Sequence, residues 1–161
     1  AIKIQGLDTI QDGEQVRLLT GYMPQKFGLY EDLTVLQNLN LYADLRGAFG
    51  EERKQTFEKL LKFTGLSPFI DRFAKDLSGG MKQKLGLACA FIKKPTLLLL
   101  DEPSVGVDPL SRRQLWTMVE SLHIDGITIV WSTAYLYEAQ RCHTGLLLNE
   151  GSLYFYGDPA T

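Results

Sequence analysis

Cysteine is scarce in this sequence. Only Cys89 and Cys142 occur among 161 residues, and neither lies in a CxxC or Cys/His cluster. That argues against a disulfide framework or a structural zinc site and makes a reducing cytoplasm the expected compartment. Both thiols are expected to act as small buried apolar side chains. Long hydrophobic runs are lacking as well. A membrane span needs about 20 consecutive apolar residues. The best runs, residues 85–92 and 97–100, are far shorter and are bounded by Lys or Asp. No basic, apolar and small-residue series marks a secretion signal. Neither sign of charge dominates: 17 Lys+Arg stand against 19 Asp+Glu, for a net charge of -2. Nucleic acid is therefore not an expected partner, and no acidic tail points to a solvating role.

What is present is enough chain, 45% of it hydrophobic, to bury roughly two-thirds of its unfolded surface in one domain. The opening Ala1-Ile2-Lys3-Ile4 alternates like a strand, so the chain is expected to begin inside a fold, as a fragment of something longer. Residues 1–7 read as a short strand followed by a polar turn over 8–13. Residues 16–23 mix helix-end and strand signals and run into Pro24, which keeps its predecessor extended.

Residues 34–45 have helical spacing with Thr34 as N-cap, and 51–63 predict a second helix ended by Gly65. Residues 66–73 read as a short helix or turn. Ser78 precedes a helix reaching about Ile92. Residues 96–100 form a buried-type strand without polar alternation, as in a central parallel strand. Residues 109–122 are helical with Pro109 in the first turn. Residues 126–131 predict another strand and 136–141 a short helix. Residues 146–149 and 152–156 flank Glu150-Gly151 as a hairpin. This order predicts an α/β domain.

Two segments carry chemistry. In Leu97-Leu98-Leu99-Leu100-Asp101-Glu102-Pro103, two carboxylates sit at the C-terminal end of a buried strand, where open α/β sheets bind ligands. An Asp there can hold Mg²⁺ through its water shell, and a neighbouring Glu can orient or deprotonate an attacking water. In Ser78-Gly79-Gly80-Met81-Lys82-Gln83, Ser78 can cap the helix. The two glycines leave first-turn N–H groups uncovered for an anion.

Together these segments resemble the nucleotide-binding domain of ABC transporters, and the resemblance covers essentially the whole chain. Ser78-Gly79-Gly80 is similar to the family signature and Asp101-Glu102 to its Walker B pair. Residues 104–109, Ser-Val-Gly-Val-Asp-Pro, are similar to the D-loop, with Asp108 at the acidic position, and Gln25 in Gly21-Tyr22-Met23-Pro24-Gln25 to the Q-loop residue. Leu33-Thr34-Val35 followed by Asn38-Leu39 resembles the start of the helical subdomain.

The resemblance implies a P-loop NTPase-like ABC ATPase core with parallel strands. Residues 27–93 would be the inserted helical subdomain, and 1–26 and 94–161 parts of the α/β core. It also implies ATP and Mg²⁺ as cofactors, Glu102 and Gln25 as catalytic residues, and Asp101 and Gln25 toward the metal. Ser78, Gly79, Gly80, Met81, Gln83 and Asp108 would contact nucleotide. The implied partners are a second nucleotide-binding domain and integral membrane permease subunits, and the implied location is the inner face of the cell membrane. The closest likeness is to exporters that pair with ABC-2-type membrane proteins, tandem ATPases among them.

Two departures qualify this, and two smaller ones do not. No G-x-x-x-x-G-K-[ST] occurs anywhere in the sequence. The P-loop supplies several charge-assisted hydrogen bonds of ~1.5–3 kcal/mol each, and losing them removes ~5–10 kcal/mol. That rivals the ~8 kcal/mol of a micromolar binder. The chain alone is therefore expected to bind ATP weakly or not at all. Ser132-Thr133-Ala134 stands where the family has Ser-Thr-His. Loss of such a preorganised contact costs ~10²–10³ in rate, which makes a slow, regulatory half the alternative to an active engine. Met81 and Gln37 replace a usual Gln and Glu without weakening the match. His123 and His143 fall outside every motif and read as surface residues. Lys82, Lys84, Lys93 and Lys94 read as a solvated helix face.

Overall fold

A computed structural model describes residues 2–26 and 28–160. Ala1, where the first predicted strand begins, Phe27 at the predicted subdomain boundary, and Thr161 lie outside the described residues. The chain divides into two compact units, one reaching Trp131 and one starting at Ser132.

The first unit opens with a tight hairpin rather than one strand. β1 (Lys3–Ile4) pairs antiparallel with β2 (Leu7–Asp8). Gln5 and Gly6 both take positive φ, 53° and 82°, as a two-residue turn matched to strand twist requires. The mixed signals of residues 16–23 resolve into α1 (Gly13–Leu19) and β3 (Thr20–Met23).

α2 (Val35–Leu45) starts where Thr34 caps it, with the Gln37 side chain returning the bond to the Thr34 N–H. This reciprocal pair satisfies two first-turn donors. α3 (Gly50–Thr64) ends at Gly65 in the left-handed conformation, a conformation costly for any residue with a Cβ. Single 3₁₀ turns, Ser67–Phe69 and Ala74–Asp76, lead to α4 (Gly79–Ala90), and β4 (Leu97–Asp101), α5 (Pro109–Ile124) and β5 (Thr128–Ser132) follow.

β3, β4 and β5 form one sheet in that order, with β3 and β4 parallel. α4 is buried on two sides and links two apolar clusters. Leu85, Ala88, Cys89 and Ile92 join Val35, Leu39, Phe57 and Leu60 of α2 and α3. Leu87 and Ala90 join Met23, Leu98, Leu100 and residues of α5. Burial pushes the Cys89 thiol far above its ordinary value, so it behaves as the apolar side chain expected. The lysines of this stretch are not all the solvated face that the sequence predicts. Lys82 and Lys84 are half-buried and bonded to Glu31 and Gln114, at 2.9 and 2.7 Å. Lys93 and Lys94 are exposed as expected.

In the second unit, α6 spans only Leu136–Ala139, and β6 (Gly145–Asn149) pairs antiparallel with β7 (Ser152–Gly157). Glu150 and Gly151 repeat the positive-φ device at the hairpin turn. Glu138 is buried and accepts a 2.6 Å bond from the Thr133 hydroxyl. Among the described residues, no helix is long and apolar enough to cross a membrane.

Candidate functional site

The register of β3 and β4 sets the site. Met23 stands opposite Leu100, so two further residues along each strand bring Gln25 and Glu102 level. The Gln25 side-chain amide donates to Glu102 Oε2 at 2.5 Å. Glu102 holds φ at 45°, a conformation rarely adopted by a non-glycine residue and one found at functional turns. Asp101 ends β4 beside it and is half-buried, whereas Gln25 is exposed.

The donors here are hard oxygens: two carboxylates and the carbonyl of an amide. Mg²⁺ takes one or two carboxylates and keeps several waters, so this set fits it. Among the described residues, no group of three or more His, Cys, Asp or Glu forms an all-protein metal cage, and Mg²⁺ does not need one.

The signature turn lies against the loop that follows Glu102. Ser78 Oγ accepts from the Met81 N–H at 3.3 Å and caps α4. Ser78 and Gly79 are exposed, Met81 is half-buried and Gly80 is buried. A Cβ on Gly79 would stand 3.3 Å from the Gly106 carbonyl, and one on Gly80 would lie 2.2 Å from Ser111 Oγ. Only glycine permits that approach. Asp108 caps α5 by accepting from the Ser111 N–H at 2.9 Å. The Ser111 hydroxyl and N–H hold its carboxyl below the usual range.

Gln83 lies elsewhere. It is 1% exposed and its amide N and O have no hydrogen-bond partner. It is turned into the fold rather than toward the surface that Ser78 and Gly79 share, so in this conformation it does not reach a ligand there. Ala134 is exposed in the turn after β5.

Sequence reasoning passed over the tie between residues 30–35 and the stretch ahead of the signature turn. Asn38 is fully buried on α2. It accepts from the Tyr30 N–H at 2.9 Å and donates to the carbonyls of Tyr30, Leu33 and Thr34 at 3.0, 3.2 and 3.0 Å. The segment it secures bonds the stretch ahead of the signature: Val35 N–H to Arg72 O and Ala74 N–H to Leu33 O, at 3.0 and 2.9 Å. Glu31 then pairs with Lys82 inside α4 at 2.9 Å. The signal available was a polar Asn between Val35 and Leu39 on an otherwise apolar helix face.

The fold is that of the ATP-binding subunits of ABC transporters. A solved structure described as an ATP binding subunit of an ABC transporter matches with a TM-score of 0.83 at 33% identity, over 98% of this chain and 66% of that one. The ABC transporter family model matches residues 1–105, and the chain belongs to that family. A probable multidrug ABC transporter ATP-binding protein of Escherichia coli is 61% identical over 96% of this chain. The Nod factor export ATP-binding protein I of Burkholderia thailandensis is 35% identical over all of it. The chain spans about a quarter of the length of the first relative and about half of the second.

Proposed function

We propose that this chain is the part of an ABC transporter ATPase that carries the water-activating residues and the signature turn, coupling ATP hydrolysis to export. The observation that carries the reading is the Gln25–Glu102 contact at the level ends of β3 and β4. Residues 27–93 act as the helical subdomain and the rest as the α/β core. The two separate apolar clusters, meeting at α4, support that division.

Glu102 orients a water for in-line attack on the γ-phosphate and takes its proton, while Gln25 fixes the rotamer of that carboxylate. Asp101 and the Gln25 carbonyl would hold Mg²⁺, which would neutralise charge on the phosphates. Ser78, Gly79 and Gly80 present the first turn of α4 to nucleotide on a second nucleotide-binding domain, with Met81 at its rim and Asp108 holding the adjoining loop. Gln83 acts from inside the helix. Membrane permease subunits, met at the cytoplasmic face, receive the motion that closure of the pair generates. The names of the multidrug and Nod factor relatives support export as the direction.

A second reading rests on Ala134, where the family has His: this half turns over slowly and its signature completes a partner's site. Calorimetry tests the division of labour. Mg-ATP titrated into the chain alone is expected to give no micromolar binding. The chain mixed with a P-loop-bearing nucleotide-binding domain is expected to form an ATP-dependent complex. Micromolar binding by the chain alone, or no complex with the second domain, contradicts the proposal.

A further inference from the structure

Among the described residues, the buried side chains of Gln83 and Ser104 have no protein partner. Gln83 is 1% exposed with both amide atoms unbonded, and Ser104 is 0% exposed with its hydroxyl unbonded. Native interiors seldom leave such groups unpaired without a reason.

Helix geometry locates Gln83. Residues four apart share a face of an α-helix, so Gly79, Gln83 and Leu87 lie in one stripe. Gly79 abuts the Gly106 carbonyl, and Leu87 packs with Met23 and Leu100 at the ends of β3 and β4. The far end of α4 stands at the start of β3, where a Cβ on Gly21 would lie 2.6 Å from the Ala90 carbonyl. α4 therefore runs opposite to the strands. Gln83 sits one turn, about 6 Å, beyond Leu87 toward the catalytic end of the sheet. Ser104 lies in the loop that leaves this end, between Glu102 and Gly106. That loop starts from a turn closed by the Val105 N–H on the Glu102 carbonyl at 3.2 Å, and Arg112 holds it near α5 through the Val107 carbonyl at 3.2 Å.

We propose that Gln83 and Ser104 are positioning residues. They form a polar joint, bridged by buried water, that ties the first turns of the signature helix to the loop carrying Glu102. Movement of the signature turn is thereby transmitted to the carboxylate from within one domain. The catalytic part of this inference rests on the function proposed above. The joint itself does not.

The test uses the 161-residue chain first. Amide chemical shifts and hydrogen exchange of residues 102–108 are followed in Gln83→Met, Ser104→Ala and the double variant. Gln83→Met keeps the length of the side chain and removes its polar atoms. The thermal midpoint is expected to fall slightly, because Ser104 loses its bridged partner while the apolar side chain keeps the packing. The shifts at Glu102 and Val105 are expected to move in each single variant, and the double variant to move them by less than the sum. Additive changes, or changes confined to α4, overturn the joint. In the chain completed with a P-loop segment joined ahead of residue 1 and paired with a second domain, Gln83→Met is expected to lower kcat about tenfold at unchanged KM. A kcat equal to that of the unsubstituted protein overturns the positioning role. Absence of turnover in the unsubstituted protein counts against the proposed function instead, and leaves the shared shift response as support for the joint.

Discussion

Gln25 and Glu102 lie 77 residues apart in sequence and meet through one side-chain hydrogen bond of 2.5 Å. The parallel register of β3 and β4 makes this unavoidable, since each residue sits two positions past a paired strand residue. Glu102 holds its place at a cost, with φ at 45°. Left-handed backbone at a non-glycine residue costs about 1–3 kcal/mol. Glu102→Gly is therefore expected to raise stability of the chain by about 1 kcal/mol and to abolish hydrolysis in the chain completed with a P-loop segment. Denaturant midpoints measured beside turnover check both halves of the statement.

Asn38 secures residues 30–34, which bond the stretch ahead of the signature turn. Replacing it with Leu removes the acceptor of the Tyr30 N–H and one donor from each of the Tyr30, Leu33 and Thr34 carbonyls, which keep the N–H groups of Leu33, Ala74 and residue 38. A loss of about 2 kcal/mol is expected, since a buried donor left without a partner costs about 1–3 kcal/mol. Urea unfolding measures it, and a loss under about 1 kcal/mol would show that the knot is dispensable.

Gly80→Ala places a methyl 2.2 Å from Ser111 Oγ and 2.4 Å from Ser111 Cβ. One helix end must move, at about 1–3 kcal/mol. The double variant Gly80→Ala/Ser111→Gly removes the obstruction and is expected to recover most of that loss. Calorimetric midpoints for the two variants decide it.

The carboxyl of Asp108 is held below its ordinary value by the hydroxyl and N–H of Ser111. A depressed carboxyl contributes stability above its unfolded pKa and loses it as pH falls through the folded value. The contribution is therefore present at neutral pH and disappears on the acid limb below about pH 4. Asp108→Asn keeps a capping oxygen and is expected to flatten that limb while leaving neutral stability nearly unchanged. Melting curves from pH 2 to 7 test it.

Much of this was legible in the sequence because it depends on local chemistry. Thr34, Ser78 and Asp108 cap helices through bonds to residues three positions on. Glu150-Gly151 turns the last hairpin as its composition predicts. Gln5-Gly6 carries the same turn signal, but Ile2 and Ile4 alternate so cleanly that the segment reads as one strand. The lysines of α4 misled for another reason. Their partners, Glu31 and Gln114, lie 51 and 30 residues away. Spacing along a helix shows charge but not what stands opposite. Gln83 is the same case inverted. It follows the signature glycines and reads as part of a ligand surface, yet the two-sided burial of α4 turns it inward.

The most direct measurement is single-turnover hydrolysis of ATP by this chain completed with a P-loop segment joined ahead of residue 1 and paired with a second nucleotide-binding domain, comparing the natural sequence with Glu102→Gln. Gln keeps the volume of the side chain and removes its basicity. Retained ATP binding with hydrolysis slowed at least 100-fold is the expected result, in line with loss of a general base. Hydrolysis at the unsubstituted rate would contradict the assignment of Glu102 and, with it, the reading of this chain as the water-activating part of the ATPase.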